Sequence, residues 1–110
     1  MVIEVLYIPG CCNHRATLER VRHALGSAEL DDPISEISVR DEDTAHALQF
    51  PGSPTVRVNG VDVDSVASRS VGLACRLYAD GSGLPSEQAI LRAICAARND
   101  ERGHGATFTS

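Results

Sequence analysis

The amino-acid sequence predicts an α/β domain in the order strand, helix, strand, helix, hairpin, helix, and three stretches carry that expectation. Val2 to Ile8 is almost unbroken in β-branched and aliphatic residues, the pattern of a central strand covered by helices above and below. Leu18, Val21, Leu25 and Ala28 recur at spacings of three and four, which draws one apolar stripe along a helix from about Asn13 to Ala28. Asn59-Gly60 lies between valine-rich runs and signals a two-residue hairpin, because both residues tolerate the positive φ of a type I′ turn.

The other elements follow in chain order. Pro9-Gly10 ends the first strand, and on the helix after it Arg15, Glu19, Arg22 and His23 fall mostly off the apolar stripe, which leaves His23 at the surface. Asp31-Asp32-Pro33 makes a turn, after which Ile34 to Arg40 alternates with Ile37 and Val39 on one face. Asp41-Glu42-Asp43-Thr44 supplies the acidic start of a short helix carrying Ala45, Ala47 and Leu48, with His46 exposed and Pro51-Gly52 expected to stop it. The hairpin register pairs Val58 with Val61, Arg57 with Asp62 and Val56 with Val63. Asp64 to Gly83 shows no clear periodicity, and an irregular stretch of that length is often functional. Pro85 and Glu87 open a last helix whose buried stripe is Ile90, Leu91, Ile94 and Ala97. The sequence thus predicts one domain over residues 1–98 and a flexible polar tail over 99–110.

Composition narrows the function. A net charge of -5 disfavours a nucleic-acid backbone or an anionic membrane surface as partner. All ten Lys/Arg positions are arginine and none is lysine, so lysine Schiff-base chemistry is excluded. No apolar run approaches the roughly 20 residues of a membrane span, and Met1 leads into a core strand without a signal-peptide pattern, so a cytoplasmic location is expected. In that reducing compartment four cysteines point to thiol, redox or metal-ligand roles before structural disulfides.

Cys11 stands where the first strand hands over to the first helix, and the positive end of the helix dipole favours a thiolate there. His14, three residues on, is placed to tune that sulfur or to serve as an ordinary polar residue of the first turn. Cys12 reads equally as a second thiol or as an incidental neighbour. A Cys11-Cys12 disulfide would close a strained ring, while shared binding of a soft metal ion is sterically easier. Cys75 reads as a resolving thiol, a second soft ligand, or a residue packed on the sheet. Cys95 reads as inert core and Asn13 as a helix cap.

This element order, with a cysteine at the first strand-to-helix turn and a proline just before the hairpin, resembles the thioredoxin fold over residues 2 to about 97. The resemblance implies a thioredoxin-like βαβαββα arrangement, a central mixed sheet flanked by helices. It also implies that Cys11 is the reactive thiol, that Pro54 follows a cis bond beside the sulfur, and that the backbone at Ser53-Pro54 binds an extended substrate chain. The sequence departs from the Cys-x-x-Cys pattern, since His14 occupies the fourth position and Cys12 directly follows Cys11, so dithiol exchange in the usual ring is unavailable. The chain is also similar to a group of small bacterial thioredoxin-like proteins with Gly-Cys-Pro-Asn at the first turn, some of them labelled alkylmercury (organomercurial) lyase. Gly10, Cys11, Asn13, Ser53 to Val58 and Ala74 to Tyr78 conform to that group's pattern, while Cys12 replaces its proline.

Two functions follow as expectations. The first is a thiol-disulfide oxidoreductase of single-thiol style, in which Cys11 attacks a disulfide, sulfenic acid or glutathione adduct and Cys75, Cys12 or free glutathione resolves it. The second is a soft-metal or organomercury protein holding mercury between Cys11 and either Cys12 or Cys75. Carbon-mercury cleavage would also need a proton donor, for which Asp62, Asp64 and Asp80 are the candidates. No resident cofactor is expected in either case, and a thioredoxin-like adaptor with incidental thiols is the bland alternative.

Overall fold

The computed structural model describes residues 1–64, 72 and 83–107, with side chains described as far as Asn99. Seven elements form in the expected order: β1 (Ile3–Tyr7), α1 (His14–Ser27), β2 (Ile34–Ser38), α2 (Glu42–Ala47), β3 (Thr55–Val58), β4 (Val61–Asp62) and α3 (Glu87–Thr107). The strands make one four-stranded mixed sheet in the order β2-β1-β3-β4, so β1 is an inner strand. It runs parallel to β2, with Ile3 opposite Ile34, and antiparallel to β3, with Leu6 opposite Thr55.

The inner position explains why β1 is apolar apart from Glu4, which is half-buried. Ile3 and Val5 point to one face, where they pack with Leu18, Val21 and Leu25 of α1 and Ile90 and Ile94 of α3. Leu6 points to the other face, into a second cluster with Val39, Ala45 and Phe50. A strand buried on both sides has no polar face to alternate with.

Both helices α1 and α2 end through the same backbone device. After α1, Leu30 N donates to Leu25 O at 2.8 Å and Glu29 N to Gly26 O at 3.0 Å, with Glu29 at φ 58°. After α2, Phe50 N donates to Ala45 O at 2.8 Å and Gln49 N to His46 O at 3.1 Å, with Gln49 at φ 53°. This pair of bonds satisfies the last carbonyls, and the residue that follows is apolar and folds back onto the core. Leu30 packs on the first cluster, and Phe50 is a fully buried member of the second. The chain therefore leaves α2 at Gln49, before the Pro51-Gly52 pair that the sequence suggested as the stop.

The hairpin has the expected register, Val58 opposite Val61 and Arg57 opposite Asp62, and Val63 N donates to Val56 O at 3.0 Å. Asn59 and Gly60 take φ of 51° and 81°, as the turn requires. The Arg57 guanidinium also reaches Gln49 O at 2.8 Å, tying the hairpin to the end of α2.

α3 has 21 residues, and the polar run from Asn99, expected to be a flexible tail, is helical as far as Thr107. Once a helix is nucleated each added residue gains one backbone hydrogen bond, so a proline-free polar run continues it after the apolar periodicity has ended. Among the described residues no helix is long and apolar enough to cross a membrane.

Candidate functional site

The turn that leaves β1 is built by Pro9-Gly10. Cys11 N donates to Ile8 O at 3.0 Å, closing a four-residue turn with proline second and glycine third. Gly10 sits at φ 85°, the value that a type II turn demands at its third residue. A Cβ there would meet nothing within 4 Å, so the backbone angle and not crowding selects glycine.

The turn is fastened to the loop before β3. Ile8 N donates to Ser53 Oγ at 3.0 Å, and Ser53 is only 2% exposed. Because Leu6 opposes Thr55 in an antiparallel pair, the residues after Leu6 and those before Thr55 meet at the same end of the sheet. Thr55 Oγ1 donates to Gly52 O at 2.6 Å, which closes the loop on itself, and the Ser53-Pro54 bond is cis, as the resemblance implied. Ser53 and Pro54 are both buried.

Two hydrogen bonds in series therefore connect the cysteine turn to the Ser53 loop. Cys11 is half-buried and Cys12 exposed, and both are free thiols. Asn13 occupies the N-cap position of α1, as expected, but makes no side-chain cap. Its Nδ2 donates instead to Gly83 O at 3.3 Å. Cys95 on α3 is also free and only half-buried, so it is less enclosed than a core cysteine.

His14 begins α1, and its backbone N donates to Cys11 O at 3.3 Å. The imidazole lies flat on Tyr7, with ring centroids 3.7 Å apart and planes 9° apart. Its Nε2 comes within 2.9 Å of Glu36 Oε1 on β2, but without the alignment of a true hydrogen bond. The ring is thus placed against Tyr7 of β1 and Glu36 of β2. Sequence reasoning missed Glu36, which reads as the outer face of an alternating strand. Only the parallel register, with Val5 opposite Glu36 and Tyr7 opposite Ser38, brings it to the first helix.

The remaining candidates divide. Asp62 lies on the outer strand β4 opposite Arg57, level with Glu4 in mid-sheet, and its Oδ1 accepts from Asp64 N at 2.9 Å. Cys75 and Asp80 lie outside the described residues. Of the three cysteines in the soft-metal expectation, Cys11 and Cys12 are described and are chain neighbours. Among the described residues no three His, Cys, Asp or Glu side chains gather as a metal site. His23 and His46 are at the surface, as expected, with His23 Nδ1 at 2.7 Å from Glu87 Oε1. Comparison with protein-family models, with curated proteins and with solved structures finds no match to this chain.

Proposed function

We propose that the chain is a thioredoxin-like redox protein of single-thiol type, with Cys11 as its nucleophile. The observation that carries this reading is the serial link from Cys11 N to Ile8 O and from Ile8 N to Ser53 Oγ, which holds a half-buried free thiol and the loop before β3 at one end of the sheet. The strand order β2-β1-β3-β4, with a parallel first pair and an antiparallel hairpin, supports the same arrangement.

In the proposed reaction the Cys11 thiolate attacks one sulfur of a substrate disulfide. A Cys11-substrate disulfide forms, the substrate S–S bond breaks, and the leaving sulfur departs as a thiolate that takes a proton from water. A second thiol, glutathione or a neighbouring cysteine, then attacks the mixed disulfide and returns Cys11 to its starting state. The substrate chain lies along the main chain at Ser53-Pro54, and His14 acts as a positioning residue that fixes the first turn of α1 against Tyr7 and Glu36.

The test is adduct formation between the reduced protein and oxidised glutathione, with the modified residue mapped by peptide mass spectrometry. The expected result is glutathione on Cys11 and loss of the adduct in Cys11→Ser. An adduct that persists undiminished in Cys11→Ser overturns the proposal.

A further inference from the structure

Two adjacent free thiols raise the question of what makes them inequivalent, one half-buried and the other exposed. The pair is pinned on both sides. Ahead of it, Cys11 N is bonded to Ile8 O at 3.0 Å; behind it, Asn13 Nδ2 is bonded to Gly83 O at 3.3 Å. Asparagine at an N-cap ordinarily turns its side-chain oxygen onto the helix amides. Here Asn13 has φ -97° and ψ 0°, makes no cap, and directs its amide out of the helix to the segment before α3.

That segment is itself tied to α1. Arg20 Nη1 donates to Pro85 O at 2.8 Å, and just beyond it His23 Nδ1 lies 2.7 Å from Glu87 Oε1 at the start of α3. A Cβ at position 83 would stand 2.5 Å from Asn13 Nδ2, so a larger residue there displaces the Asn13 amide from its bond. Of these contacts only Asn13 passes the restraint on to the cysteine pair, which it directly follows in the chain.

We infer that Asn13, held by Gly83, is a positioning residue that determines which of the two sulfurs reacts, keeping Cys11 inward as the nucleophile and Cys12 outward. The Cys11 carbonyl is held by His14 N at 3.3 Å whatever the Asn13 side chain does, so loss of the tether frees chiefly the peptide plane between Cys12 and Asn13, and Cys12 gains access to the inward position. This inference rests on the thiol reading proposed above and adds the residue that selects between Cys11 and Cys12.

The experiment treats the full reduced chain with limiting oxidised glutathione and maps the adduct in wild type, Asn13→Ala and Gly83→Ala. In each variant the Cys11 to Cys12 adduct ratio is expected to fall by about fivefold, the change in population that one hydrogen bond of ordinary net strength supports. Cys95, half-buried on α3, is the internal control and should be modified no faster than in wild type. An unchanged ratio in both variants overturns the inference, as does a rise in Cys95 labelling that parallels the change, because general loosening would then explain it. If the wild-type adduct sits on Cys12, the Cys11 reading fails by itself, whatever the variants do.

Discussion

Ser53 has an identifiable job at the scale of one residue. Its hydroxyl is the acceptor for Ile8 N, and at 2% exposure little water can take its place. Ser53→Ala removes the acceptor with almost no change in volume, so Ile8 N loses its partner at a cost of about 1–3 kcal/mol. Urea denaturation should show the midpoint lowered with the slope unchanged, whereas an unaltered midpoint would mean that the turn does not depend on this bond. The place of Cys11 at the first strand-to-helix turn was legible from the residues around it, whereas the cis bond at Ser53-Pro54 was expected only through the resemblance to the thioredoxin fold. The setting of His14 was not legible, because its partners Tyr7 and Glu36 come from two strands whose register no local pattern encodes.

At the scale of the element, α2 shows how a short helix is held. Asp41 Oδ1 accepts from Thr44 N at 2.7 Å, and this bond, with help from the Thr44 hydroxyl, lowers the Asp41 carboxyl below its ordinary value of 3.8. A carboxyl depressed in the folded state binds its proton more readily in the unfolded chain. Its stabilising contribution is therefore complete above the ordinary value and is lost as pH falls through the lower folded one. Asp41→Asn keeps an acceptor at the cap and removes the titration. Thermal melts followed by circular dichroism should agree for the two proteins near neutral pH, with a shallower loss for Asp41→Asn below about pH 4. An identical acid limb would exclude Asp41 as a contributor. The start of α2 was readable from its acidic residues, but its end was not, because Gln49 takes a left-handed conformation usually given to glycine. The burial of Phe50 immediately afterwards stabilises that choice, and it is a tertiary effect.

At the scale of the whole molecule the sheet separates two apolar layers, one under α1 and α3 and the other under α2. Ile94→Val in the first should cost about 0.5–1.5 kcal/mol and Val39→Ala in the second about 2 kcal/mol, from lost transfer energy and residual cavity. Side chains on opposite faces of a sheet share no packing neighbours, so the double variant should equal the sum within about 0.5 kcal/mol in denaturant titrations. A larger discrepancy would mean that the layers are coupled through β1. The α/β architecture was legible from apolar periodicity and one turn dipeptide, whereas the length of α3 was not, since nothing apolar marks its continuation to Thr107. Asn59 joins these scales. Besides making the hairpin turn, it exchanges two bonds with Val2, N to Val2 O at 2.7 Å and Oδ1 from Val2 N at 2.8 Å. A hairpin can form locally within microseconds, long before distant segments have met. Once formed, it presents a ready template at its tip for a residue 57 positions earlier in the chain, so the slow search that brings the first strand home ends on an edge already in shape to receive it.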